Sequence, residues 1–237
     1  TDKIMTTGGE GGMVLTSDFD LWRCMWEYKD HGKSWDAVYN REHPPGFRWL
    51  HETFGTNWRL TEMQSAMGRV QLGKLDQWIE KRRENAKVLI EGLSGVPGLR
   101  VPVPDAHVGH AWYKFYAYVE PERLKTGWSR DAIMRAVSEK GVPCMQGICP
   151  EVYLEKVFES RVPRAKEHGK KAEVRCQRSE GGSQRGEEGL RSEMRLAAAK
   201  ELGETSLMFL VHPTLGQKEM EETVRVVRGV MGQGQAV

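Results

Sequence analysis

Lys3 stands just ahead of a threonine- and glycine-rich run, Thr6-Thr7-Gly8-Gly9-Glu10-Gly11-Gly12. A lysine amine becomes a nucleophile toward an aldehyde when desolvation or neighbouring positive charge lowers its pKa, so such a lysine can anchor an aldehyde cofactor covalently. A lysine this near a chain terminus is ordinarily solvated, and the run gains meaning only if other segments agree with it. The second chemically loaded segment is Gly55-Thr56-Asn57-Trp58-Arg59-Leu60-Thr61-Glu62-Met63-Gln64-Ser65-Ala66. Asn57 precedes a helix start, where a side-chain amide and free backbone N–H groups favour the same anion. Read alone, it is better taken as shaping the turn before Thr61. Arg59 carries the planar fork that pairs bidentately with phosphate or carboxylate, or it packs on Trp58 as a surface arginine. The glycine run lacks the Gly-Lys-Ser/Thr of a P-loop, which ranks a simple phosphate-binding module last.

These groups need elements to position them. Met13 to Thr16 reads as a short buried strand, and Ser17-Asp18 starts a helix carrying Leu21, Trp22, Met25 and Trp26 at helical spacing. Residues 34–56 lack a clean period and read as a long irregular loop, the kind that is usually functional. Thr61-Glu62-Met63-Gln64 matches a capping box, with the Thr61 hydroxyl taking the third amide and the Gln64 side chain returning to the cap amide. The apolar positions from Met63 to Leu93 recur at three and four, predicting one helix of about nine turns that bridges two domains. Beyond Pro97-Gly98, Trp112 to Val119 has strand composition, Ser129 caps a helix closed by Gly141, Ser206 to Val211 is a strand, and Met220 to Met231 marks a final helix. Residues 164–195 interleave nine Lys/Arg, six Asp/Glu and five Gly with few apolar side chains, which reads as a disordered surface insertion.

Composition narrows the partners. With 35 Lys+Arg against 33 Asp+Glu, the net charge of +2 lacks the basic excess of a general nucleic-acid binder. No run of 18 or more apolar residues is present to span a membrane. Cys24, Cys144, Cys149 and Cys176 lack Cys-x-x-Cys spacing and matching histidine pairs, so reduced cytosolic thiols are favoured over disulfides or a metal site. Six of eight tryptophans fall in the first third, consistent with either an interface or an aromatic core.

Three stretches together resemble the DegT/DnrJ/StrS family of pyridoxal phosphate-dependent sugar aminotransferases. The first is the lysine with its glycine run, one glycine longer than the commonest form. The second is the Gly55–Ala66 segment, similar to Gly-x-Asn-aromatic-Arg-Met-x-Glu-x-Gln-Ala-Ala, with Leu60 and Ser65 as departures and Trp58 in place of the usual tyrosine. The third comprises Gly141–Cys144 through Phe158 and Ala199–Leu207 through Leu215, similar to the family's small-domain segments. Lys29-Asp30-His31-Gly32-Lys33 weakly resembles the family's His-Gly stretch, and His31 is read as a loop histidine rather than a catalytic base. The insertion at 164–195 is the main departure.

The resemblance implies an α/β chain, the C-terminal part of a fold type I transferase. Residues 1–95 would end the large cofactor-binding domain with its connecting helix, and residues 96–237 would form a small C-terminal domain. It implies that Lys3 attaches pyridoxal 5'-phosphate, that Asn57 reaches the cofactor phosphate of the neighbouring subunit, and that Arg59 serves the substrate diphosphate or the frame of the site. Substrates would be a nucleotide-linked keto sugar and an amino-acid donor, usually glutamate, in a cytoplasmic homodimer with shared active sites. Because the family's ring-stacking aromatic, pyridine-nitrogen acid and most phosphate ligands precede the lysine, a fragment inactive by itself is expected. Two alternatives are a non-catalytic dimerisation or binding remnant and a dehydratase relative; dehydratases of the family lack the lysine, so Lys3 favours transamination.

Overall fold

A computed structural model describes residues 3–46, 48–147, 150–155 and 196–234. The expected insertion at 164–195 lies outside the described residues, as do Cys149 and Cys176. The chain divides into two compact units, Thr1–Trp78 and Ile79–Val237.

In the first unit, α1 (Phe19–Lys29) begins as expected at Asp18, whose Oδ1 accepts from the Leu21 amide at 2.9 Å. The stretch read as irregular contains a short helix, α2 (Trp35–Tyr39), capped by Ser34, whose Oγ accepts from the Ala37 amide at 3.3 Å. Five residues are too few to display a helical period, so only the cap could have signalled it. α2 completes an aromatic cluster, with the Trp35 ring 4.7 Å from Trp22, 5.0 Å from Trp26 and 4.1 Å from Tyr39. Trp49 and Trp58 are instead 81% and 69% exposed, so the tryptophan-rich third is part cluster and part open surface.

Two expectations fail here. Met13, Val14 and Leu15 form no strand and stand 72–83% exposed, because no segment among the described residues pairs with their backbone. The nine-turn helix is broken into α3 (Glu62–Leu72) and α4 (Leu75–Leu93). At the break the Lys74 amide donates to the Gln71 carbonyl at 3.0 Å, a tightened turn that closes α3. Gly73 sits at this point, and glycine costs about 1 kcal/mol relative to alanine within a helix, so continuity there is weakly supported.

The second unit holds a four-stranded antiparallel sheet in the order β1-β2-β4-β3, from β1 (Leu99–Arg100), β2 (Phe115–Val119), β3 (Cys144–Gln146) and β4 (Ser206–Phe209). β2 alternates as a half-buried strand should: Phe115, Ala117 and Val119 point into the core, and Tyr116 and Tyr118 are half-buried. Three further helices are α5 (Arg130–Glu139), α6 (Ala197–Thr205) and α7 (Gln217–Gly234). The apolar faces of α5 and α7 and the C-terminal part of α4 supply Leu89, Leu93, Ile133, Val137, Val227 and Val230 to one continuous core. Each such side chain contributes about 1.5–3 kcal/mol on burial. Two polar residues of α4 are buried with it: Asn85 Nδ2 donates to the His212 and Leu215 carbonyls, and Arg82 Nη1 to those of Trp112 and Tyr113. Both tie loops to the helix, a role that the apolar stripe of the sequence does not reveal.

Candidate active site

All the expected site residues lie in the first unit. Lys3 is exposed at the head of the glycine run, which is shaped by local bonds from Gly8 N to Thr6 Oγ1 (3.3 Å) and from Thr7 Oγ1 to the Gly9 carbonyl (3.4 Å). The run lies against α3. A Cβ on Gly8, whose φ is +74°, would sit 2.7 Å from Met67 Cε, one on Gly9 would sit 2.6 Å from Gln64 Nε2, and one on Gly11 would sit 3.0 Å from Leu60 Cδ1. These glycines therefore let the turn that carries Lys3 rest on the helix.

Gln64 is the tie between the two. Its Nε2 donates to the Glu10 carbonyl at 3.1 Å, and its Oε1 accepts from the Thr61 hydroxyl at 3.0 Å. The capping box is thus half formed. Thr61 Oγ1 accepts from the Gln64 amide at 3.3 Å as expected, but the glutamine side chain is drawn away to the glycine run.

Asn57 and Arg59 are placed by a crossing of two backbone segments. The turn after α1 meets the segment before α3 through Thr56 N to Tyr28 O (2.7 Å), His31 N to Thr56 O (3.0 Å) and Trp58 N to Lys29 O (3.1 Å), with Asp30 opposite Asn57 in an antiparallel bridge. Two glycines permit the approach. Gly32, at φ +83°, faces the Thr53 carbonyl, and a Cβ on Gly55 would fall 2.6 Å from the His31 carbonyl carbon and from the Tyr28 carbonyl oxygen.

At this crossing Arg59 spreads its guanidinium over three partners. Nε donates to Asn57 Oδ1 at 3.1 Å, Nη2 meets His31 Nε2 at 3.2 Å, and Nη1 lies 3.3 Å from Asp30 Oδ1. Because arginine offers donors only, His31 accepts through Nε2 and carries its proton on Nδ1. Asp30 is 8% exposed, and its other oxygen lies 3.5 Å from Lys33 Nζ. The Oδ1 contact is an ion pair of imperfect hydrogen-bond alignment, since that buried oxygen meets no hydrogen-bond criterion among the described residues. Asn57 and Arg59 themselves are exposed. Beside them an open groove of about 760 Å3 is walled by Gly11, Trp22, Trp26, Tyr28, Trp58 and Arg59, and neither Lys3 nor Asn57 lines it.

The sequence profile of the DegT/DnrJ/EryC1/StrS aminotransferase family matches residues 1–179. The chain belongs to this family. It is 30% identical over 151 residues to a dTDP-4-dehydro-2,6-dideoxy-D-glucose 3-dehydratase of Saccharopolyspora spinosa, covering 57% of this chain and 32% of that protein. It is 30% identical over 155 residues to a dTDP-3-amino-3,4,6-trideoxy-alpha-D-glucose transaminase of Streptomyces venezuelae, covering 65% of this chain and 36% of that one. An aminotransferase structure from Psychrobacter cryohalolentis superposes with a TM-score of 0.77 at 47% identity, covering 97% of this chain and 53% of that one. The chain thus spans about a third of the length of the curated relatives and about half of the solved chain. Solved structures below 25% identity, an aminotransferase from Helicobacter pylori among them, share the fold, that of fold type I, over somewhat less than half of their own chains.

Within the DegT/DnrJ/EryC1/StrS fold, the sequence motif brings Asn57 and Arg59 into one cluster. Asp30 and Gly32, which sequence reasoning left as minor, also belong to this crossing, while Gln64, read there as a cap partner, ties the Lys3 turn to α3. A signal for Asp30 and Gly32 existed in the Lys29–Lys33 stretch, but spacing alone does not say that it crosses residues 55–59.

Proposed function

We propose that this chain contributes Lys3 and Asn57 to a pyridoxal phosphate-dependent transaminase acting on a nucleotide-linked keto sugar. The chemistry of the donor set fits the cofactor: Lys3 supplies a primary amine on an exposed turn, and Asn57 supplies an exposed side-chain amide for a phosphate. The observation that carries the reading is the Lys3 turn seated on α3, with Gln64 bonded to its Glu10 carbonyl, in a member of an aminotransferase family. When bound, pyridoxal phosphate supplies the electron sink for carbanion chemistry. Lys3 Nζ holds it in place and, once released, carries the proton taken from the α-carbon of the amino donor, glutamate in this reading. Asn57 Nδ2 binds the phosphate in a neighbouring copy of the chain, so the active unit is a homodimer. Arg59 belongs to the frame of the site, its three nitrogens being engaged by Asp30, His31 and Asn57.

The dehydratase relative favours a second reading, loss of a hydroxyl from the sugar without nitrogen transfer. Retention of Lys3 supports amination instead. The test follows 15N from labelled glutamate into dTDP-linked keto sugars using the whole gene product that carries this chain. An aminated sugar bearing 15N, lost in Lys3→Ala, is expected; a deoxygenated sugar without nitrogen would establish the dehydratase.

A further inference from the structure

Asp30 is the one nearly buried carboxylate facing the Asn57–Arg59 pair among the described residues, and the sequence motif gives it no role. We propose that Asp30 is a positioning residue: by holding Arg59 it fixes the Asn57 amide with its NH2 group outward, as a donor to an anion. This rests on the reading above that the anion is the phosphate of pyridoxal phosphate.

The argument is one of donors and acceptors. An asparagine amide has two orientations that differ by exchange of oxygen and nitrogen, and only its surroundings choose between them. Arg59 Nε donates to Oδ1 at 3.1 Å, whereas the flipped amide would set two donors against each other. The NH2 group is thereby left for an acceptor beyond the cluster. Arg59 can impose this only if its own plane is fixed, and it is 47% exposed on a long, rotamer-rich side chain. Its restraints are Asp30 at Nη1 and His31 at Nη2. Of these, the carboxylate is the one that is 8% exposed and fixed in the backbone bridge opposite Asn57. Lys33 Nζ, 3.5 Å from the second oxygen, is the other charge beside it, and the accepting His31 Nε2 lies 3.9 Å from Oδ1. The backbone bonds of the crossing do not use the Asp30 side chain, so replacing it removes none of them.

Two measurements test this on the whole gene product. The first is the 15N–1H heteronuclear NOE of the Asn57 side-chain amide in the unliganded protein. An ordered amide in the wild type that becomes motionally averaged in Asp30→Asn and in Arg59→Gln supports the proposal. An amide already averaged in the wild type, or equally ordered in both variants, overturns it. Arg59 is exposed, so its variant serves if Asp30→Asn does not fold. The second is the ratio of affinities for pyridoxal phosphate and unphosphorylated pyridoxal, titrated by absorbance. A charge-assisted hydrogen bond to phosphate corresponds to about a tenfold or larger preference. That preference is expected to fall about tenfold in Asn57→Ala, the remaining phosphate ligands of the whole gene product keeping the rest, and about threefold or more in Asp30→Asn, with an unchanged melting temperature. A preference unaltered in Asp30→Asn overturns the proposal. A wild type that does not discriminate between the two ligands defeats the phosphate reading of Asn57, while the NOE still decides whether Asp30 positions it.

Discussion

Cys144 illustrates how burial sets chemistry at the scale of one residue. It lies 5% exposed on β3, and burial pushes its thiol up to about 12, with Arg130 opposing weakly. The unfolded thiol ionises near 9, so between the two values the folded state holds a proton that the unfolded state has lost. Stability therefore falls as pH rises through that window, by at most about 1.4 kcal/mol per pH unit. Replacing Cys144 with valine should flatten the alkaline arm of a denaturation series, and an identical arm would contradict the burial argument. The same contrast predicts that iodoacetamide at pH 8 alkylates exposed Cys24 and spares Cys144 in the folded protein, as peptide mass mapping would read. Asn57 and Arg59 were singled out by their own motif, and what the structure adds is that their side chains meet at 3.1 Å. Asp30 was not, since its significance depends on which segment crosses it.

Among elements, the helix starts were the most legible. Asp18, Thr61 and Ser129 each accept the backbone amide that their position requires, a bond determined within three residues of sequence. What failed depended on partners further away. Met13–Leu15 has strand composition but no ladder, Gln64 was diverted from its cap by Glu10, and the long helix stopped at Gly73 although its apolar period continued. The crossing at Gly32 and Gly55 is the element on which the candidate site depends most. Gly55→Ala should cost about 1–3 kcal/mol, because the new methyl meets backbone atoms rather than a flexible side chain. Faster hydrogen exchange at His31 and Thr56 amides should accompany the loss. Gly229→Ala in α7 is the control: its Cβ meets nothing within 4 Å, and the change should be neutral or stabilising by up to about 1 kcal/mol. Equal effects at both positions would refute the close-approach account.

At the scale of the whole molecule the two units differ in kind. The continuous apolar core lies in the second, while the buried apolar side chains of the first, among the described residues, are Ala37 and Leu50. The first unit instead exposes Met13, Val14, Leu15, Phe54, Trp58 and Met63. Apolar surface of this extent is open to cover by the rest of the gene product or, in the shared-site reading proposed above, by a second copy. Sedimentation of the whole gene product should give a dimer at micromolar concentration, and a monomer throughout that range would remove Asn57 from the site. Composition hinted at this surface through its tryptophans, but which rings would cluster and which would remain open was settled by α2, an element too short to read.

The central claim is that Lys3 is the covalent anchor, and reduction tests it most directly. Borohydride treatment of the whole gene product with pyridoxal phosphate, followed by peptide mass mapping, should place a phosphopyridoxyl group on Lys3 and leave Lys3→Ala unlabelled at the site. Stoichiometric labelling at any other lysine, or none in a folded protein, would contradict the account.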